Sequence, residues 1–196
     1  MAGPMDDKAA KLALYESLLK KWGARINLVG PEAKRNLGEH IGEAVEAAGF
    51  LRLEGEALDF GSGGGLPAIP LAILGEPHVR FHLVEADQKK WAFLKAAVRE
   101  CGLNCTVWGD RLQRALERME PTVGFDLVTS RAVGYPEEWL PQVLPRLRPG
   151  ASVALFQSSS NPPLVEGLQH SSSHRLSRGE NNFLMIMKTF HVEHNA

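Results

Sequence analysis

The architecture of this chain follows from one segment, Leu58-Asp59-Phe60-Gly61-Ser62-Gly63-Gly64-Gly65-Leu66-Pro67. It joins an apolar run at residues 57–60, typical of a buried strand, to a helical pattern at residues 67–74. The glycines permit a tight backbone turn and close approach to a ligand, and the proline fits the first turn of a helix, where its missing N–H costs nothing. In open α/β sheets, ligands bind beyond the carboxyl ends of the strands, so this turn is the first candidate for a binding site.

Short apolar runs and helical patterns alternate through most of the remaining chain. The patterns predict strands at 57–60, 79–84, 105–108, 125–129 and 151–156, and helices at 67–74, 88–101, 111–119 and 136–144. Strands that alternate with helices of this length imply right-handed crossovers and a mostly parallel sheet covered on both faces. The alternation fails near the end: residues 158–173, rich in Ser, Pro and Asn, predict a loop, and the apolar run at 183–187 predicts an antiparallel final strand.

Two amphipathic helices are predicted before the first strand, at residues 6–22 and 33–50. The second places Leu37, Ile41, Val45 and Ala48 on one face. We therefore expect an N-terminal helical extension at 1–54, packed on an α/β domain at 55–196, within a single structural unit.

Composition indicates an ordinary globular protein. Of the 196 residues, 44% are apolar and 23% are charged, close to globular averages. No apolar run has the roughly 18 residues of a membrane span, and no apolar segment near the N-terminus predicts a secretory signal, so we expect a cytoplasmic protein without membrane association. Cys101 and Cys105 have the spacing of neither a disulfide framework nor a zinc site, so we expect reduced thiols and no metal. The net charge of -1 does not exclude an RNA substrate, which needs only one basic face.

The acidic residues beside the glycine turn distinguish between two cofactors. Asp59 places a carboxylate just before the turn, which would repel a pyrophosphate but attract the ammonium and sulfonium charges of S-adenosyl-L-methionine. Glu85, at the end of the second predicted strand, could accept hydrogen bonds from ribose hydroxyls, and Asp87 is expected to cap the next helix. We therefore favour an S-adenosylmethionine site; a nucleotide-dependent oxidoreductase and a glycine-rich connection that binds nothing are the alternatives.

Further motifs occur in order along most of the chain. They are Lys21-Trp22 with Ile26-Asn27-Leu28, His40-Ile41, the segment 59–67, Lys89 with Phe93-Leu94, and Ser130-Arg131-Ala132. With this set, the chain resembles the RsmG, or GidB, family of bacterial small-subunit ribosomal RNA (guanine-N7) methyltransferases. The Leu-Pro ending of the glycine segment is more specific than the glycines alone.

The resemblance implies a class I S-adenosylmethionine-dependent methyltransferase fold, which is Rossmann-like, with an antiparallel C-terminal strand. It implies that Leu112 and Gln113 hold the adenine region and that Arg131 lies at the mouth of the cofactor or substrate site. The complete candidate set for the cofactor is Asp59, Gly61, Ser62, Gly63, Leu66, Glu85, Leu112, Gln113 and Arg131. The implied partner is small-subunit ribosomal RNA, methylated during rRNA processing by an enzyme that we expect to be a monomer.

The implied reaction determines which catalytic groups to expect. Guanine N7 has a free lone pair and loses no proton, so no general base is required and catalysis rests on alignment and electrostatics. Arg131 and Tyr135 are the catalytic candidates, and Tyr135 and Trp139 are expected to stack on the exposed base. A salt bridge to a neighbouring helix is the alternative for Arg131, and His40 is expected to pack or hydrogen-bond locally on its helix.

Several positions depart from the family pattern. Glu39 replaces an Arg, Glu43-Ala44 replace Asp-Ser, Ala68 replaces a Gly, Gln113 replaces an acid, and Gln157-Ser158 replace Lys-Gly. Loss of an Arg and a Lys weakens the attraction for phosphate. A catalytically weakened methyltransferase-like protein that binds RNA or assists ribosome assembly therefore stays an alternative, as does a small-molecule methyltransferase.

Overall fold

The computed structural model describes residues 4–30, 34–120, 122–177 and 182–189. The helices and strands follow in chain order: α1 Pro4–Gly23, α2 Leu37–Ala48, β1 Gly55–Phe60, α3 Ala68–Gly75, β2 Val79–Val84, α4 Gln88–Glu100, β3 Cys105–Trp108, α5 Leu112–Arg118, β4 Phe125–Arg131, α6 Pro136–Val143, a 3-10 turn Leu144–Arg146, β5 Leu147–Gln157, β6 Leu168–Arg175 and β7 Phe183–Thr189.

The strands form one seven-stranded sheet in the order β3-β2-β1-β4-β5-β7-β6. Strands β1 to β5 run parallel, whereas β7 lies antiparallel between β5 and β6. After β3 the chain crosses back to place β4 on the other side of β1, so the strand order reverses between β1 and β4. A crevice opens at the carboxyl ends of the strands at such a reversal. The predicted fold class, mostly parallel with an antiparallel C-terminal strand and N-terminal helices, is confirmed.

Two hydrophobic clusters cover the two faces of the sheet. Side chains alternate along β1, so that Ala57 joins the cluster beneath α1 to α4, while Leu58 joins the cluster beneath α5 and α6. The first cluster contains Tyr15 from α1 and Ile41 from α2 beside Phe93 from α4. The N-terminal helices therefore share a core with the helices that follow β1 and β2.

The prediction of a loop over residues 158–173 is wrong at its end, because β6 begins at Leu168. This strand lies at the edge of the sheet, and Leu168 is its only buried residue. An edge strand of Ser and His carries no apolar run, so the pattern used for the other strands does not detect it.

The buried face of α2 also differs from the prediction. Val45 is 39% exposed, while His40 and Glu43 are buried in its place. A periodicity based on apolar residues cannot identify a face that buries a histidine and a carboxylate. This exchange brings α2 into the functional site.

The two cysteines are free thiols, as predicted. Burial raises the pKa of Cys101 to about 11 and that of Cys105 to about 12, so both stay protonated at neutral pH. Among the described helices, none has the length and apolar character to cross a membrane.

Candidate functional site

A cavity of about 650 Å³ opens at the carboxyl edge of the sheet. Its volume is in the range of small-molecule and cofactor sites. The wall combines the glycine turn, the segment after α1, the face of α2 and the ends of β2, β4 and β5. The side chains and turns that face it include Leu28, Gly30, His40, Glu43, Gly61, Ser62, Gly63, Leu66, Glu85, Lys90, Arg131, Phe156, Gln157 and Phe183.

The glycine turn has a backbone that only glycine adopts without strain. Gly61, Gly63 and Gly65 all have positive φ, between 53° and 85°. A Cβ at Gly61 would lie 2.4 Å from Val133 Cγ2, and one at Gly65 would lie 2.5 Å from Ile69 Cγ1. Helix α3 begins directly after Pro67. The turn therefore requires glycine both for its conformation and for close packing, as the sequence predicts.

The N-terminal helices support the turn from behind. The buried hydroxyl of Tyr15 on α1 donates a hydrogen bond to the carbonyl oxygen of Gly64 at 2.6 Å. A Cβ at Gly64 would lie 2.9 Å from Val29 Cγ1 and 3.1 Å from the Leu28 carbonyl oxygen. Burial raises the pKa of Tyr15 well above its usual value, so the hydroxyl keeps the proton that it donates.

Glu85 joins the turn to the start of α4. Its Oε2 accepts from the backbone N–H of Gly63 and its Oε1 from that of Asp87, both at 2.8 Å. A carboxylate has about four lone-pair sites, so Glu85 can still accept hydrogen bonds from a ligand in the cavity. Asp87 caps α4 by accepting from the N–H groups of Lys89 and Lys90, as predicted, and the backbone hydrogen bonds, that of Lys90 first, lower its pKa.

Asp59 lies beneath the turn and does not line the cavity. Its side chain is buried, and Oδ1 accepts a hydrogen bond from Thr129 Oγ1 at 2.6 Å. Its Oδ2 is also buried and has no hydrogen-bond partner in the part of the chain that the structure describes. Burial raises the pKa of Asp59 to about 7.

Arg131, at the end of β4, faces the cavity and also bridges to α2. Its Nη2 donates to Glu43 Oε2 at 2.5 Å and to His40 Nδ1 at 2.8 Å. The guanidinium lies 5.8 Å from the centre of the Phe156 ring. The sequence suggested either a place at the mouth of the site or a salt bridge to a neighbouring helix for Arg131. The structure shows that Arg131 lines the cavity and also forms that salt bridge. His40 is buried and its Nδ1 lies 3.2 Å from Glu43 Oε2 on its own helix, as predicted, and it also contacts Arg131 on β4. The partnership of Glu43 with Arg131 was not predicted.

The charge of Glu43 depends on these partners. Burial alone would raise the pKa of this carboxyl group, but the contact with His40 and the charge of Arg131 outweigh burial and lower it. Glu43 is therefore ionised at neutral pH and neutralises Arg131 locally.

The remaining residues predicted to bind the cofactor or the target base are not part of the cavity wall. Leu112 is buried in the core beneath α5 and Gln113 is exposed on that helix, and neither lines the cavity. Their role at the adenine stays a prediction. Tyr135 is 69% exposed before α6. Trp139 is only 5% exposed and packs on Phe60, with ring centres 4.9 Å apart, so the prediction that it stacks on a base is wrong.

Gln157 stands where the family pattern has a lysine, and it lines the cavity. Its Nε2 donates to the carbonyl oxygens of Ser159 at 2.9 Å and Asn161 at 2.8 Å. The side chain therefore holds the loop after β5 and brings no positive charge to the cavity.

Comparisons with known proteins are consistent with this geometry. Residues 8–189 match the family model described as GidB, rRNA small subunit methyltransferase G. The ribosomal RNA small subunit methyltransferase G of Paramagnetospirillum magneticum is 36% identical over 151 residues, which are 76% of this chain and 70% of that protein.

Two solved structures share the fold. An O-methyltransferase from Bacillus cereus in complex with SAH superposes with a TM-score of 0.64 at 20% identity, over 90% of this chain and 91% of its own. The O-methyltransferase TomG from Streptomyces achromogenes, in complex with SAM, gives a TM-score of 0.63 at 17% identity, over 92% of this chain and 90% of its own.

Proposed function

The chain belongs to the rRNA small subunit methyltransferase G family, and from this premise we propose that it methylates nitrogen 7 of a guanine in small-subunit ribosomal RNA. The methyl donor of this family of enzymes is S-adenosyl-L-methionine. The observation that carries the proposal is the cavity at the reversal of strand order, where the Asp-x-Gly-Ser-Gly-x-Gly-Leu-Pro turn meets Arg131 of the Ser-Arg-Ala motif. We further propose that the enzyme is a cytoplasmic monomer.

The residues of the cavity fit this cofactor. Gly61 and Gly63 have no Cβ that would keep a ligand away, and Glu85 retains acceptor sites for ribose hydroxyls. The Oδ2 of Asp59 lies beneath the turn without a hydrogen-bond partner among the described residues, and a bound ammonium group nearby would favour the ionised form of this carboxyl. We propose that six residues of the cavity wall contact the cofactor: Gly61, Ser62, Gly63, Leu66, Glu85 and Arg131. We also propose that Asp59 acts on the charge of the cofactor, and that Leu112 and Gln113 hold its adenine.

The reaction asks for alignment rather than proton transfer. The bound cofactor supplies an electrophilic methyl group on a sulfonium centre. Guanine N7 would attack that methyl carbon with its own lone pair as the methyl–sulfur bond breaks and S-adenosylhomocysteine leaves. The positive charge would pass from sulfur to the base, so the site must tolerate a charged base. Glu43 neutralises Arg131 next to the cavity, which lessens electrostatic opposition to the charge on the base. Leu66 and Phe156 give the cavity wall an apolar part. We propose that exposed Tyr135 stacks on the target base or its neighbour.

The function is tested with small ribosomal subunits from cells that lack this protein. The purified protein and labelled S-adenosylmethionine should place one methyl group per subunit, on N7 of a guanine, as mapped by cleavage at N7-methylguanine. Binding of S-adenosylhomocysteine without methylation of subunits or of naked RNA would favour the RNA-binding alternative. Methyl transfer to small acceptors only would favour the small-molecule alternative.

Glu85→Ala is expected to weaken S-adenosylhomocysteine binding by about 10- to 100-fold, measured by isothermal titration. The change removes the acceptor for ribose and the charge-assisted hydrogen bond that fixes Gly63, and bonds of this kind contribute roughly 1.5–3 kcal/mol. Glu117→Ala, an exposed change on α5, is the matched control and should bind as the wild-type protein does. Equal affinities for both variants would show that Glu85 is not a cofactor ligand.

Lys89→Ala is expected to weaken RNA binding and to reduce the slope of log K against log salt concentration by about one, because one phosphate contact is lost. Lys89 is exposed on the first turn of α4, beside Lys90 of the cavity wall. Arg99 is exposed near the other end of the same helix, roughly 15 Å away along its axis. Arg99→Ala should leave the slope unchanged, and an identical loss in both variants would argue against a localised RNA surface.

A further inference from the structure

The side chains of His40 and Glu43 meet Arg131 at the cavity wall, and we infer that Glu43, assisted by His40, is a positioning residue for Arg131. In this role Glu43 holds the Nη2 nitrogen of the guanidinium, so that Nη1 is the terminal nitrogen left for a ligand. The inference rests on the proposed function and deepens it, because it specifies how Arg131 serves methyl transfer.

One nitrogen of the guanidinium carries both contacts. Nη2 donates to Glu43 Oε2 and to His40 Nδ1. An arginine can only donate hydrogen bonds, so His40 Nδ1 is the acceptor in its contact. Nη1 is buried and has no hydrogen-bond partner among the residues that the structure describes. Arg131 lines the cavity and its side chain keeps 17% exposure, and we assign a ligand bound there as the partner of this nitrogen.

The contact between Glu43 and Arg131 joins two elements that are far apart in the sequence. Glu43 and Arg131 lie 88 residues apart, on α2 of the N-terminal extension and at the end of β4. Because the Glu43 side chain is almost completely buried, at 1% exposure, rotation of its carboxylate is restricted by packing. The direction in which Arg131 points is therefore set by α2 and not by β4 alone.

This arrangement suits an acceptor that methylates at N7. An unrestrained arginine recognises guanine with a fork to O6 and N7 together, and that fork would occupy the lone pair that must attack the methyl group. With Nη2 committed to Glu43, Arg131 can give a hydrogen bond to a single oxygen while N7 stays free. That oxygen belongs either to the carbonyl group of the base or to the carboxylate of the cofactor.

The test compares Glu43→Gln, which removes the charge at constant shape, with Glu43→Asp, which keeps the charge and restores the residue of the family pattern. For each full-length variant, kcat and KM for S-adenosylmethionine and for subunits, the Kd for S-adenosylhomocysteine and the melting temperature are measured. Glu43→Gln should lower kcat by about 10- to 100-fold, and Glu43→Asp should recover most of it. A raised Kd identifies the cofactor carboxylate as the partner of Arg131, whereas an unchanged Kd with a lowered kcat identifies the base.

Two controls separate positioning from a general structural role. Glu46→Gln alters a carboxylate one turn further on α2, which contacts Ser177 and not Arg131, and should leave kcat unchanged. On an Arg131→Gln background, Glu43→Gln should have no further effect on kcat, because the residue through which it acts is already removed. If the melting temperature shows that Glu43→Gln reduces the folded fraction, the Kd for S-adenosylhomocysteine of this variant is compared with that of the wild-type protein.

The inference is overturned if Glu43→Gln leaves kcat and Kd at wild-type values, if Glu46→Gln matches its effect, or if its effect persists on the Arg131→Gln background. Failure of the wild-type protein to methylate subunits would instead contradict the proposed function. In that case the Kd values of Glu43→Gln and wild type are compared for S-adenosylhomocysteine and for subunits, and ratios near one for both ligands overturn the inference.

Discussion

Asp59→Asn is expected to remove roughly 4 kcal/mol of pH dependence from the free energy of unfolding between about pH 4 and pH 7. In the unfolded chain Asp59 ionises near its usual value, 3.8, whereas burial raises its pKa in the folded protein to about 7. Between these values the folded state holds a proton that the unfolded state has released. Its contribution is complete below the unfolded pKa and is lost as the pH rises through the folded pKa. Asparagine does not titrate, so the contribution disappears.

The measurement is urea denaturation of both proteins over this pH range. The difference in unfolding free energy should change by about 1.4 kcal/mol per pH unit, and any fixed cost of burying the amide only shifts that line. Asp87→Asn serves as a control of opposite sign, because backbone hydrogen bonds lower the pKa of this exposed cap. Parallel wild-type and Asp59→Asn profiles would contradict the prediction.

If Asp59 faces the ammonium group, wild-type affinity for S-adenosylhomocysteine should also rise between about pH 6 and 8, and that of Asp59→Asn should not.

Gly65→Ala is expected to lower the free energy of unfolding by roughly 2–5 kcal/mol. An alanine at this position would be strained by a φ of +85°, and its Cβ would lie 2.5 Å from Ile69 Cγ1 and 3.2 Å from Leu94 Cδ2. Both neighbours belong to the buried core, so neither can move without displacing others. The substitution should also displace the turn, and this displacement should weaken cofactor binding.

Gly102→Ala separates the two causes. Gly102 has a φ of +64°, but a Cβ there would meet nothing within 4 Å. This variant should therefore lose only the roughly 1–2 kcal/mol of backbone strain, and its affinity for S-adenosylhomocysteine should be unchanged. Equal losses from both variants, measured by urea denaturation, would show that the core accommodates a methyl group at Gly65.

The central sheet and the glycine turn are predictable from sequence for a physical reason. Parallel strands are buried on both faces, so they appear as apolar runs such as residues 79–84, where prediction and structure agree. The turn is predictable because positive φ values at Gly61 and Gly65 demand glycine, and Asp87 because a helix cap needs a short polar acceptor. In each case a local physical requirement restricts the choice of residue.

The part of the site that sequence did not predict depends on contacts between distant segments. Nothing local to Glu43 indicates that its carboxylate is buried against Arg131, because the partner lies on another element. Trp139 follows the Arg131 motif closely in sequence, yet α6 turns its ring onto Phe60 and into the core. Its closeness in sequence to Arg131 suggested that Trp139 contacts the target base, but the orientation of α6 places its ring in the core instead.

The hydrogen bond from Tyr15 to Gly64 joins α1 to the turn that we propose binds the cofactor, so we expect the docking of α1 and cofactor binding to be coupled. Among its described side chains, helix α1 contributes none to the cavity wall, yet it holds the rear of the turn through this hydrogen bond. By thermodynamic reciprocity, whatever tightens the docking of α1 raises ligand affinity, and a bound ligand strengthens that docking by the same free energy. Substitutions remote from the cavity, on the α1 surface that packs against the turn, can therefore tune affinity for the cofactor.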